Sequence, residues 1–266
     1  MLPFRKFALA SAAAALGLLT LAPATVSAAD DSVAGSGWTG SFSTYSWLPW
    51  LSGDIQVKAI DIAVDVGPDD ILSSLDWSTL PVWMSYGELR NGRLTLFNDI
   101  IWTALEAGKG FEGQVIGGAV QVDYTQLTVE LGAAYAIWSN GASTVDVLAG
   151  GRYWRQEADV FLAAGGAAID RSGTVDWVDP FVGVRLQQSV APGQTLLVRG
   201  DVGGFGAGSD FSWQASATFN MELCVTGGHQ IDGYLGYRAL SVDYSEGAYA
   251  YDALQHGPVM GLTMKF

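Results

Sequence analysis

The stretch His256-Gly-Pro-Val-Met-Gly-Leu-Thr-Met-Lys-Phe266 decides the fold. Read with period 2, Pro258, Met260, Leu262, Met264 and Phe266 share one face, and Gly257, Val259, Gly261, Thr263 and Lys265 share the other. Successive side chains of a strand point to opposite sides, so this alternation predicts a β-strand with one apolar face. Chain ends tend to fray into water, and an apolar strand ending on an aromatic is out of place there. A terminal strand of a secreted soluble sheet is the alternative reading.

The same period recurs upstream. Trp213, Ala215, Ala217, Phe219 and Met221 oppose Ser212, Gln214, Ser216, Thr218, Asn220 and Glu222, the cleanest alternation in the chain. Leu127, Val129, Leu131, Ala133, Tyr135 and Ile137 oppose Gln126, Thr128 and Glu130. Asn91-Gly92 is a strong two-residue hairpin signal, and Ser139–Ala142 and Ala191–Gln194 read as further tight turns. Longer connections are expected at 51–79, 106–118, 158–175 and 245–255, with a shorter one at Gly203–Ser209. Long and short links in alternation predict an all-β transmembrane, antiparallel, up-and-down barrel of about ten strands, about eight to twelve being the bounds. Trp38–Trp50 reads as the first strand, and Pro68–Leu75 as a short helix in the first long connection.

Composition agrees. Hydrophobic residues make up 49% of the chain and charged residues 15%, yet past the N-terminal segment no apolar run is long enough for a spanning helix. Arg5 and Lys6, the apolar run Phe7–Leu21 and the small residues Val26–Ala29 predict a cleaved signal peptide over 1–29, leaving one barrel domain over 30–266. Removing the signal takes two of the 13 basic residues and none of the 27 acidic ones. So acidic a chain lacks the basic face that nucleic acid requires. The single cysteine, Cys224, allows no internal disulfide.

With these residues in place, two resemblances can be stated. The closing strand, with Gly261, Met264 and terminal Phe266, resembles the last strand of bacterial outer-membrane barrels, which the assembly machinery reads; Val259 departs from the polar residue usual there. Trp177–Arg185, Gly200–Trp213 and Gly236–Tyr244, with Trp47–Asp54 and Gly87–Arg93, resemble a family of uncharacterised proteobacterial outer-membrane β-barrel proteins. The resemblance implies an outer-membrane location and the barrel fold; outer-membrane lipid and the assembly machinery are the expected partners, and no cofactor is expected. It carries over no functional residue.

Charges on a strand in hydrocarbon are costly unless they point inward. Asp99, Glu130, Asp146, Arg152, Asp179, Arg185, Arg199, Asp201, Glu222 and Arg238 all fall opposite the apolar face and are predicted to line the lumen. Either they pair into a plug or they border a narrow aqueous path. Eight-stranded barrels are filled and sixteen-stranded ones hold channels, which favours the plug for about ten strands. The function expected is structural or surface-interacting, or a low-conductance pore. The competing reading is a rim hydrolase of lipid or peptide, built on His256 with Asp252 and Glu246; His229, the other histidine, falls at the opposite end. Asp61, Asp65, Asp69 and Asp70 match no metal-loop spacing and read as solvated acids.

Overall fold

The computed structural model describes residues 37–57, 60–76, 78, 80–112, 117–164 and 167–266. The predicted signal segment lies outside the described residues. In chain order these form β1 (Thr39–Trp47), β2 (Trp50–Val57), β3 (Ile60–Val66), α1 (Pro68–Ser73), β4 (Val82–Asn91), β5 (Leu94–Glu112) and β6 (Gly117–Ser139). Then follow β7 (Ser143–Ala164), β8 (Ala167–Ala191), β9 (Gln194–Gly203), β10 (Phe211–Thr226), β11 (His229–Glu246) and β12 (Tyr249–Lys265).

Neighbouring strands are antiparallel in the order β1-β4-β5-β6-β7-β8-β9-β10-β11-β12, and β1 pairs back onto β12. The result is a closed ten-stranded barrel, with β2 and β3 as two extra strands beside β12. The terminal stretch holds this closure. Its lower half pairs with β1 from Trp47↔Val259 to Ser41↔Lys265, and its upper half pairs with β2 from His256↔Trp50 to Tyr249↔Val57. Phe266 exchanges both backbone hydrogen bonds with Gly40, at 2.8 and 2.9 Å, and its ring lies where a Cβ on Gly40 would be.

Two expectations about elements are corrected. The strand read over Trp38–Trp50 is broken at Leu48-Pro49, because Pro49 has no N–H for the ladder and the chain crosses hard against Gly257. The connections expected at 106–118, 158–175 and 245–255 are mostly strand: β5–β6, β7–β8 and β11–β12 run on as long hairpins. Strands β7 and β8 have 22 and 25 residues. The β7–β8 ladder runs out to Ala164↔Ala167 while the β8–β9 ladder ends at Phe181, so this hairpin stands well beyond the closed ring at one end. Strand β9, with 10 residues, does not. Pro180 fits in β8 because β9 ends beside it: the β8–β9 ladder stops at Phe181↔Gly203.

The outer wall is apolar. Val178, Val182, Val184, Leu131, Leu235, Met260 and Leu262 are exposed on it. Trp38 and Trp138 stand toward the short-turn end, and Trp50 and Trp83 toward the other. On β10, Ala215, Ala217, Phe219 and Met221 are exposed, while Ser212 and Gln214 are buried and Ser216 and Thr218 half-buried.

Candidate functional site: a lumen closed at two heights

Small residues on the inner wall make room for large ones. Gly132 and Gly150 are lumen-facing positions, and the rings of Phe97 and Phe181 lie over them. A Cβ on Gly132 would come within 2.9 Å of Phe97, and one on Gly150 within 2.6 Å of Phe181. These two rings form a floor for arginines: the Arg152 guanidinium sits 5.1 Å from the Phe181 centroid, and that of Arg199 5.1 Å from Phe97 and 5.4 Å from Phe181.

Above this floor the charges pair. Glu130 accepts from Arg152 Nε at 2.9 Å and from Arg199 Nη2 at 2.6 Å. Asp201 accepts from Arg152 Nη2 at 2.8 Å and from Arg199 Nε at 3.0 Å. Each acid thus bridges the same two arginines, and all four residues are buried. Gln214 Nε2 donates to Asp201 at 3.2 Å and its carbonyl accepts from Arg238. Arg238 in turn donates to Asp99 at 2.7 Å, beside the Tyr45 hydroxyl. Arg185 binds Asp146 at 2.7 Å and also Glu88. An unpaired buried ion costs several kcal/mol, and pairing with further hydrogen bonds is what offsets it. Four guanidiniums and five carboxylates therefore girdle the lumen as a belt of two networks, one through Arg152, Arg199 and Arg238 and one through Arg185.

Two residues of the predicted lumen set stand apart. Asp179, fully buried, accepts from the Ser209 backbone N–H at 2.6 Å and from Trp177 Nε1 at 3.3 Å, so it clamps the Gly204–Asp210 loop and pairs with no arginine among the described residues. Glu222 is a correction: although its parity is inward, it is exposed near a bulge of β10, beside the Gly193 turn, and joins none of the pairs described. Glu88 was not among the residues predicted for the lumen, yet it completes the Arg185 pair. Its parity with Met84, Tyr86 and Arg90 in the hairpin strand is the signal that could have found it.

A second layer lies farther from the short turns. Trp154 and Trp177, paired across β7 and β8, stack at 5.6 Å and 10°. Trp177 stacks on Tyr244 at 3.9 Å and 11°. Tyr249 tilts against Tyr244, and its hydroxyl donates to Gln156. Tyr249 belongs to β12 and Gln156 to β7, on opposite sides of the ten-strand ring. Gln255 on β12 likewise donates to Gln126 on β6 at 3.1 Å. Leu240, Val242, Tyr251 and Ala253 fill the remaining space. On the other side of the belt, a cavity of 220 Å³ is lined by Ser43, Tyr86, Thr218, Asn220 and Lys265, among others.

The rim hydrolase constellation does not assemble. His256 lies within β12, not at the start of a strand, and its ring faces outward, stacked at 5.9 Å on Trp50. Its Nδ1 is 2.6 Å from the Tyr237 hydroxyl. Asp252, four residues away along the strand, is about 13 Å distant at strand rise. It faces Asp243 and Asp54 across the sheet, while Glu246 pairs with Tyr249. His229 starts β11, a strand-length away. Among the described residues no group of acids, histidines or cysteine is arranged to hold a metal ion. Asp69 and Asp70 lie in the first turn of α1, where Asp70 Oδ2 accepts from the Gly67 N–H at 3.2 Å.

No protein-family model matches the chain, and no curated protein is significantly similar to it. The chain is similar to the solved structure of the outer membrane protease OmpT from Escherichia coli, at 8% identity and a TM-score of 0.48, over 87% of this chain and 97% of that one. It is also similar to the translocator domain of the autotransporter NalP from Neisseria meningitidis, at 12% identity and a TM-score of 0.39, over 86% and 88%. A third similarity is to Ail, the attachment invasion locus protein of Yersinia pestis, at 13% identity and a TM-score of 0.32, over 87% and 99%. None of these is near enough to lend its activity to this chain.

Proposed function

We propose that this protein is an integral outer-membrane barrel whose lumen is shut, with a structural or surface-interacting role carried by the hairpins beyond the membrane. The observation that carries this reading is contact across the lumen at two heights. Arg185 on β8 reaches Glu88 on β4 in the belt, and Tyr249 on β12 reaches Gln156 on β7 in the aromatic layer. Either layer alone would obstruct hydrated ions. The apolar outer wall with tryptophans toward both ends suits lipid, and the inward charges suit a spanning barrel. Two tall hairpins, β5–β6 and β7–β8, would present the surface for partners outside the cell.

The test is conductance of the refolded protein in planar bilayers. The proposal expects silence at moderate voltage; discrete, salt-dependent steps would favour the narrow-pore alternative. The terminal strand is proposed to act in assembly. Met264 and Phe266 face outward and exposed, while Gly261 faces inward, where a Cβ would meet Tyr45 and Tyr234 within 2.8 Å. Deleting Phe266 should lower the yield of folded, heat-modifiable barrel in the outer membrane, and an unchanged yield would reject this role.

A further inference from the structure

The break at Leu48-Pro49 has a structural result at the upper end of the lumen, above the belt. The β1–β4 ladder ends at Thr44↔Ser85, after which the first strand bends toward β12 and leaves the upper edge of β4 without it. Helix α1 and the segment after it cover the seam: Leu75 bridges Leu105, and the Glu106 N–H donates to Ser74 O at 2.6 Å. Beneath this cover, at the upper end of the lumen, lies a cavity of 130 Å³. Leu51, Ile71, Leu75, Val82, Met84 and Ile101 are among the residues that line it. A dry cavity of about 150 Å³ with such a lining takes up benzene, so this one has the volume for a single six-membered ring.

One wall is not apolar. Trp47 lines the cavity and is buried, the Arg238 guanidinium lies 5.0 Å from its ring, and its indole N–H has no acceptor among the described residues. A buried donor without a partner is expensive, and a ligand that accepts a hydrogen bond would remove that cost. The amide and phenol donors at the inner end are already engaged, and the other donors on the lining are the Ser46 and Thr103 hydroxyls. Gln255 Nε2 is already engaged with Gln126 and the Tyr251 hydroxyl, and the Tyr124 hydroxyl with Gln126.

We propose that the seam beneath α1 is a binding site for one small, monocyclic, mostly apolar molecule bearing a single hydrogen-bond acceptor, which Trp47 Nε1 engages.

The test uses two probes of nearly equal volume, fluorobenzene and 3-fluoropyridine, which differ in the ring nitrogen. Their binding to the refolded full chain in detergent is followed by fluorine NMR. Saturable binding is expected in the wild type, lost in Leu75→Trp, which fills the cavity. Ile71→Phe, a milder filling, should weaken it and serves if Leu75→Trp does not fold. In Trp47→Phe, the affinity ratio of 3-fluoropyridine to fluorobenzene should fall roughly fivefold, the worth of about one hydrogen bond. If folded filling variants bind both probes like the wild type, the probes merely partition into detergent and the site is refuted. If the ratio is unchanged in Trp47→Phe, the assignment of Trp47 as donor is refuted.

Discussion

Arg152 and Trp154 stand two residues apart on the same face of β7, and both are fully buried. Arg152 belongs to a belt in which every charge depends on a partner from another strand. Trp154 belongs to a layer held by ring stacking, with its own indole N–H unpaired. The belt is a geometric commitment: shift one strand by a residue and several ions lose their partners. The aromatic layer depends more on filling volume. The same lumen is thus closed once by specificity and once by bulk.

The largest expected difference follows from removing one partner in each layer. Arg152→Ala leaves Glu130 and Asp201 to share Arg199 alone and should cost about 3–5 kcal/mol, because one buried negative charge is then uncompensated. Arg152→Met should not rescue it, since volume is not what is missing. Trp177→Leu keeps an apolar side chain and should cost only about 1–2 kcal/mol, from lost stacking and the lost contact to Asp179. Urea titration of refolded protein in lipid, followed by tryptophan fluorescence and heat modifiability, measures all three. Equal costs for Arg152→Met and Trp177→Leu would erase the distinction between the layers.

A comparison of the wall's two faces comes next in size. Ala217 is exposed outside and its neighbour Thr218 half-buried inside, at almost the same depth. An arginine on the lipid face near the midplane costs about 2–4 kcal/mol, so Ala217→Arg should be the more damaging of the pair. The opposite order would mean that β10 is inverted relative to lipid.

The smallest effect lies on the rim. Asp243, Asp252 and Asp54 face one another across three adjacent strands outside the apolar band. Burial, then the Asp252 and Asp210 carboxylates, hold the Asp243 carboxyl above its ordinary range. The ionised form is therefore disfavoured in the folded state. Its folded pKa lies above the unfolded one, so the stabilisation is present at acid pH and lost as pH rises through the folded value. Asp243→Asn should slow proteolysis of the β11–β12 hairpin at neutral pH and change little below the ordinary aspartate pKa of about 3.9, where pepsin serves as the protease. A gain that is the same at both pH values would rule out this cause.

Much of the wall was legible because period 2 is local. Trp213 to Met221 announces both of its faces, and tight turns such as Asn91-Gly92 need only two residues. What stayed hidden depends on partners distant in sequence. Residues 106–118 are rich in glycine and read as a loop, but β5 there finds β6 in register from Glu106↔Asp123 to Glu112↔Gly117. Trp154, Trp177 and Phe181 share the parity of charged neighbours, so alternation alone places them inward without showing that they stack. Likewise, parity put Glu222 on the lumen face but could not show that β10 ends beyond the belt. The pairing of Glu88 with Arg185 is set by closure of the ring, which no single strand encodes.

The central claim is that belt and aromatic layer each close the lumen by themselves, and single-channel conductance tests it most directly. Recordings would compare the wild type, a layer-depleted Trp177→Ala/Tyr244→Ala/Tyr249→Ala variant, a belt-depleted Glu88→Ala/Asp99→Ala/Arg185→Ala/Arg238→Ala variant, and their combination. Every protein would first be shown to be folded and heat-modifiable. The account expects silence from the first three and discrete ohmic steps only from the combination. Steady, salt-dependent steps from the wild-type barrel, or from a variant lacking one layer alone, would contradict it.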